Sequence, residues 1–261
     1  MNHPTPDAGR QRVALSIDGT VATLTLCRPQ MNAIDDAMLE AILDALARVE
    51  ASPAVILLRV RSDQRVFCAG ADLDLVASRV GSADGAAAMV KTVELFHRAY
   101  GRLAALPAIT IAELEGHALG GGLELALACD LRIAAHHAKL GLPEAKVGLL
   151  PGAGGTQRLT GLCGAGVASR LILTGEVIDG REAERLGLVQ WTVHAVDFAD
   201  LASEIAARVA ALSPDAARAA KRCIGIASAI APAGLSAEIE GIGALIRAPA
   251  TEGYVATFLR R

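Results

Sequence analysis

The stretch HALGGGLELALACD, residues 117–130, decides how the rest of the chain is read. Three glycines lead into a run that is apolar almost throughout, which predicts a short helix at 123–129 buried on all sides. The first N–H groups of a helix have no intrahelical acceptor and carry partial positive charge, so they favour developing negative charge. Gly121 has no side chain to keep a polarised carbonyl away from that backbone. Glu124 is the anomaly, an acid in the first turn of a helix otherwise made of Leu and Ala. Either it completes a cap or answers the helix dipole, or it is a buried carboxylate with a raised pKa. The second property is what a general acid or base at neutral pH requires.

Upstream lies FCAGADL, residues 67–73. An apolar strand ends at Cys68, and Gly70 permits a turn after which backbone N–H groups point outward together, towards a carbonyl oxygen or an anion. The alternative is a plain strand-to-helix turn with Asp72 as a local cap. Downstream lies LGLPEAKVGLLPGAGGTQRL, residues 140–159, where Pro143 fixes the backbone just before Glu144. A solvated pair of Glu144 with Lys146 is the alternative there. The glycines at 148–155 lack the GK[ST] ending of a phosphate loop, which argues against a nucleotide triphosphatase. Two glutamates in glycine-shaped, apolar surroundings and two glycine turns with backbone donors are the equipment for enolate chemistry. The donors stabilise charge on an acyl oxygen. One acid holds or delivers a proton and the other orients or activates water.

Around these motifs the chain alternates strands and helices. Residues 13–17 and 21–26 read as a hairpin about Asp18 and Gly19, and Pro29 ends its second strand. Helical spacing runs through Ile34, Met38, Ile42 and Leu46, until Ser52 and Pro53 break it. Strands are predicted at 54–60, 66–68, 109–114 and 131–135, and a helix at 89–106 stopped by Pro107. Residues 76–88 are small and weakly periodic and read as an irregular connection. From Phe198 onward three helical segments, 198–212, 214–230 and 234–246, form an Ala-rich tail. The expected architecture is therefore α/β, divided into a core at 1–197 and a C-terminal helical region at 198–261.

Composition narrows the function classes. In 261 residues, 25 basic and 28 acidic side chains leave a net charge of −3, without a basic block, so no nucleic-acid surface is expected. Hydrophobic residues make up 52% but aromatics only 3%, so Ala, Leu, Val and Ile must fill the core. No apolar run reaches the roughly 18 residues of a membrane span. The first residues, MNHPTPDAGRQR, lack the apolar region of a signal peptide and read as a flexible lead. The five cysteines are odd in number, widely spaced and without a CxxC pair. That gives no metal site and points to a reducing, cytoplasmic setting.

Taken together, CRPQMNAI (27–34), VFCAGADL (66–73), GHALGGGLELALACDLRIA (116–134), AKLGLPEAKVGLLPGAGGTQRL (138–159), LTGEVIDGREAERLGLV (173–189) and TEGYVATFL (251–259) closely resemble the crotonase superfamily, enoyl-CoA hydratases above all. The resemblance implies a spiral of repeated ββα units followed by a C-terminal helical region, assembled as a homotrimer or a dimer of trimers. It implies syn addition of water to a 2-enoyl-CoA, with Glu124 binding and activating water and Glu144 exchanging a proton at the α-carbon. The oxyanion-hole N–H groups fall on Ala71 and Gly121. Contacts to the CoA and thioester arm fall on Cys27, Arg28, Ala69, Gly70, Asp72, Leu73 and Gly120, with Arg28 meeting a CoA phosphate. Coenzyme A enters as the substrate's carrier, and no other cofactor is required.

Three features depart from the family pattern: Glu115 where Asn is common, a short turn at RPQMNAI, and an end at Arg261 without the usual basic and aromatic extension. Enoyl-CoA isomerisation, hydration of a methylglutaconyl-CoA-type substrate and a non-catalytic oligomeric acyl-CoA-binding role are the competing functions. Isomerases can work without the first glutamate, so Glu124 favours hydration. A binding protein is expected to have lost one of the four site positions.

Overall fold

In the computed structural model, which describes residues 11–29, 31–227 and 232–260, the N-terminal hairpin opens the main sheet. Strands β1 (Val13–Asp18) and β2 (Val21–Leu26) pair antiparallel, and alternate residues of β2 are buried, as the sequence alternation requires. Helix α1 (Asp36–Glu50) follows. Its N-cap Asp35 accepts from the Met38 N–H at 2.8 Å and is held from outside by Arg12. Losing such a cap costs about 1 kcal/mol. Met38, Leu39, Ile42, Leu46 and Val49 form its buried stripe.

The chain then enters β3 (Leu57–Ser62), α2 (Leu73–Arg79), α3 (Ala83–Ala105), β4 (Ile109–Leu114), β5 (Ala118–Leu119), α4 (Gly121–Leu127), β6 (Leu131–Ala135) and β7 (Leu140–Gly141). After a 3-10 turn at Glu144–Val147 come α5 (Gly155–Leu173), kinked at Gly164, then β8 (Val177–Ile178), α6 (Gly180–Arg185) and β9 (Trp191–Val193). The main sheet has the order β1-β2-β3-β4-β6-β9, parallel from β2 onward. A small second sheet, β5-β7-β8, runs beside it. Successive turns of chain thus add a strand to the large sheet and a short strand to the small one, which is the ββα spiral.

Helices α7 (Phe198–Ala210), α8 (Pro214–Ala227), α9 (Pro232–Arg247) and α10 (Pro249–Leu259) complete the fold. Phe198, Ala202, Ile205 and Val209 of α7 cover the sheet face formed by Leu57, Ile111 and Ile133. Lys221 ties α8 to the sheet through Asp130 at 2.7 Å and the Ala108 carbonyl at 2.9 Å. Helix α9 lies along α3, and α10 reaches α2 and the turn at Glu144–Val147. Ile242, Ile246 and Val255 there join Val76, Met89 and Val93 in a separate apolar cluster.

Several elements differ from the sequence reading. Residues 76–88 are no irregular connection: α2 runs to Arg79 and α3 begins at Ala83. Ser82 caps α3 by accepting from Gly85 N–H, and the alanines that blur the periodicity are good helix formers. Residues 66–68 form no regular strand, because Cys68 makes only an isolated bridge to Ala118. Helix α4 starts at Gly121 and ends at Leu127. Helix α10 was read only as a motif. Residues 1–10 of the N-terminal lead, the end of the 214–230 segment and Arg261 lie outside the described residues. Among the described residues, no helix is long and apolar enough to cross a membrane.

Candidate active site

The glycine turns meet because the backbone sews them together. Leu119 N–H donates to the Cys68 carbonyl at 3.0 Å and Gly120 N–H to the Gly141 carbonyl at 2.9 Å. These bonds bring the segments of Gly70, Gly120 and Glu144 to one place. Gly122 is needed for this approach, since a Cβ on it would lie 2.4 Å from the Cys68 carbonyl oxygen.

Ala71 and Gly121 both line the space so formed. Ala71 forms a parallel bridge with Ile34, but its two hydrogen bonds run through the Gly70 carbonyl, at 2.8 Å, and the Asp72 N–H, at 2.8 Å. Ala71's own N–H therefore points away from Ile34. Gly121 opens α4, so its N–H has no intrahelical acceptor. A Cβ built on Gly121 would lie 3.5 Å from the Ala71 nitrogen, so the two peptides sit side by side. The buried Tyr100 hydroxyl donates to the Gly121 carbonyl at 2.9 Å, on the next peptide of α4, and so ties the start of that helix to α3.

Glu124 is only 2% exposed and does not cap its own helix. Its Oε1 accepts from the N–H groups of Ala153 and Gly155, each at 2.8 Å. Those donors belong to the PGAGG turn at the start of α5, which explains why that turn resembles a phosphate loop: its N–H groups grip a side-chain carboxylate instead. Glu144 stands on the 3-10 turn after Pro143, and its buried Oε2 has no hydrogen-bond partner among the described residues. Lys146 is exposed, and Glu124 stands in the first turn of α4 without capping it.

Burial, then the charge of Glu238, pushes Glu124 up to about 7, against the Ala153 and Gly155 N–H groups and Arg158. Burial, then the charge of Glu124, raises Glu144 well above the usual carboxylate range. Both carboxyls line one cavity of about 180 Å³ together with Ala69, Gly70, Ala71, Leu73, Gly120 and Gly121. Its far wall is apolar, with Val76, Met89, Val93, Phe96, Ile242 and Phe258. The other sequence-derived positions are not part of that lining. Cys27 Sγ donates to the Gln11 carbonyl. Arg28 pairs with Asp72 at 2.7 Å and donates to the Ala33 carbonyl. Asp72 also caps α2. Cys68 is no nucleophile, since burial pushes its thiol up to about 12. Among the described residues no cluster of three or more His, Cys, Asp or Glu is arranged to hold a metal.

Tyr100, Glu238, Ile242 and Phe258 were not found from sequence. One signal was available for the first: the chain has two tyrosines, and one inside an otherwise apolar helical stripe needs a hydroxyl partner.

The family model for "Enoyl-CoA hydratase/isomerase" matches residues 16–239. The chain belongs to the enoyl-CoA hydratase/isomerase family. It is 43% identical over 215 residues to the Mycobacterium leprae protein named "Probable enoyl-CoA hydratase echA8", covering 80% of this chain and 79% of that one. The crystal structure of an enoyl-CoA hydratase from Bacillus anthracis superposes with a TM-score of 0.78 at 34% identity, covering 96% of this chain and 97% of that one. The structure of DspI from Pseudomonas aeruginosa gives a TM-score of 0.78 at 37% identity, covering 96% and 95%. Family membership gives the hydratase/isomerase fold of the catalytic scaffold. The buried carboxyl pair just described is a property of this chain's own residues.

That pair has a cost visible in stability. A carboxyl whose folded pKa is raised stabilises the fold fully below its ordinary value, and that contribution is lost as pH rises through the folded value. For Glu124 the window runs from 4.5 to about 7. Glu124→Gln keeps an oxygen for the Ala153 and Gly155 N–H groups and removes the charge. Urea unfolding at fixed protein concentration should show the variant more stable than the parent at pH 8, on the order of 3 kcal/mol, with no gain at pH 4.5. An equal difference at both pH values would refute the buried-charge account.

Proposed function

We propose that this protein is an enoyl-CoA hydratase, a hydro-lyase that adds water across the double bond of a 2-enoyl-CoA to give a 3-hydroxyacyl-CoA. The observation that carries the reading is a pair of carboxyls, the buried Glu124 and Glu144 with its buried Oε2, lining one cavity with Ala71 and Gly121. The thioester oxygen accepts from those two N–H groups, which favour the enolate over the ground state. Glu124, gripped by the Ala153 and Gly155 N–H groups, takes a proton from water as the water oxygen bonds to C3. Glu144, kept protonated, delivers a proton to C2, so one water is added in all. The division follows the hydrogen bonds, which hold Glu124 on the α5 turn and leave the buried Glu144 Oε2 without a partner among the described residues, while the two protons belong to the pair as a whole. Cys27, Arg28, Ala69, Gly70, Asp72, Leu73 and Gly120 are proposed to meet the CoA and thioester arm.

The same reading carries a homotrimer, or a dimer of trimers, built through a C-terminal region at 198–261, in a cytoplasmic setting. The exposed Ile224 and Ile226 of α8 are apolar surface for such an interface. Among the lining residues the only cation is the exposed Lys146, and the far wall is apolar. This favours uncharged acyl chains over a methylglutaconyl-type substrate with its extra carboxylate. Crotonyl-CoA should therefore lose the absorbance of its conjugated thioester when the purified protein is added. Across a panel, uncharged chains should exceed chains ending in a carboxylate by about tenfold or more in kcat/KM. Absence of turnover on every member would remove the reading.

A further inference from the structure

Three consecutive N–H groups at the start of α5 are divided between two buried carboxylates. Ala153 and Gly155 donate to Glu124, and Gly154 between them donates to Glu238 Oε2 at 2.7 Å. Glu238 stands on α9, is 3% exposed, and also accepts from the Thr156 hydroxyl. His97 of α3 lies 3.1 Å from the same Oε2. An acid on a surface-helix tail has no reason to be buried unless its partners repay the desolvation. Here the partners are the turn that grips Glu124. The backbone cannot shift at Gly154 without moving the donors on either side of it.

We propose that Glu238 is a positioning residue for Glu124: it anchors the 153–156 turn and so couples the C-terminal helix α9 to the acid–base pair. The inference rests on the reading of Glu124 and Glu144 as that pair. Its charge acts as well as its bonds, because the N–H it holds lies between the two that hold Glu124. After burial, it is the largest influence raising Glu124, and it raises Glu144 too. The groups that act on it are Glu124 from α4, Glu144 from the 3-10 turn, His97 from α3, and Thr156 and Arg158 from α5. Arg158 counters part of the negative charge and donates to the Ala153 carbonyl at 2.8 Å, bracing the turn from its other side.

The test separates anchoring from charge. Glu238→Gln keeps an oxygen for the Gly154 N–H and removes the charge. The carboxyl titration of Glu124, followed by carbon-13 NMR of glutamate-labelled protein, should move down by about one pH unit. The rising limb of the pH–kcat profile on crotonyl-CoA should move with it, while kcat on the plateau stays within about threefold of the parent. Glu238→Ala removes the bonds to Gly154, Thr156 and His97 and should lower plateau kcat roughly ten- to a hundredfold, with KM changed far less. An unmoved Glu124 titration in Glu238→Gln, or Gln and Ala variants with the same kcat, overturns the proposal. If Glu238→Ala does not fold, the Gln titration decides alone. A parent protein inactive on every enoyl-CoA would count against the hydratase reading, and the NMR titration would still test the coupling.

Discussion

Glu144→Gln should lower kcat on crotonyl-CoA by about a thousandfold or more, and Glu124→Gln by a similar factor, with KM altered much less. The split follows from which atoms do what. The thioester oxygen is assigned to the N–H groups of Ala71 and Gly121, which neither substitution touches. Water and the C2 proton are assigned to the two carboxyls, which Gln replaces with a group that neither gives nor takes a proton at neutral pH. Because the pair works on one water, the double variant should be about as slow as either single one, not the product of both losses. Far-ultraviolet circular dichroism would verify folding, and Glu124→Gln should keep its two bonds to the α5 turn. Either variant retaining more than a tenth of parental kcat would defeat the paired-acid mechanism. Loss of hydration in Glu124→Gln with a retained 2-enoyl to 3-enoyl shift would identify isomerisation as a separable activity, since that reaction takes a proton from C4 and returns one to C2 and uses no water.

Local pattern made much of this legible. Strands β4 and β6 stand at the bounds the apolar runs predict, because each is short, nearly wholly buried and flanked by breakers. Glu124 drew notice because its neighbours on α4 left it no polar company. Its actual partners were not legible. The bonds to Ala153 and Gly155 join positions 29 and 31 residues apart, and no helical or strand period connects such positions. The Tyr100 to Gly121 bond spans 21 residues and the Glu238 to Gly154 bond spans 84. The far wall of the cavity was hidden for a related reason. Ile242 and Phe258 belong to C-terminal helices whose amphipathic faces pack equally well, on pattern alone, against another subunit or this chain's own core. In this structure they close over α3 and the glutamate turn. The start of α3 was obscured differently: Ala and Gly at 85–88 carry no hydrophobic contrast, and only the Ser82 cap marks the helix end.

Gly70→Ala should lower kcat by about a hundred- to a thousandfold without touching either carboxyl, which is the scale for losing an oxyanion donor. Gly70 has φ +101, and a Cβ there would lie 2.8 Å from the Leu119 carbonyl oxygen and 3.3 Å from the Gly121 nitrogen. Both are backbone atoms of the facing turn, so no flexible side chain can move aside. Relief requires the Gly70 and Leu119 segments to separate, which pulls the Ala71 N–H away from the Gly121 N–H. Holding an alanine at that φ also destabilises the fold by about 1–3 kcal/mol, so stability must be measured beside rate. Gly101→Ala supplies the comparison. Gly101 lies within α3, a Cβ there meets nothing within 4 Å, and alanine should stabilise that helix by about 1 kcal/mol. Combining the two changes offsets part of the lost stability while leaving the donors displaced. If the double variant regains stability but not rate, the loss lies in the spacing of the two N–H groups. If rate returns with stability, Gly70 serves the fold alone, and the backbone donors at Ala71 and Gly121 lose their assigned part in stabilising the enolate.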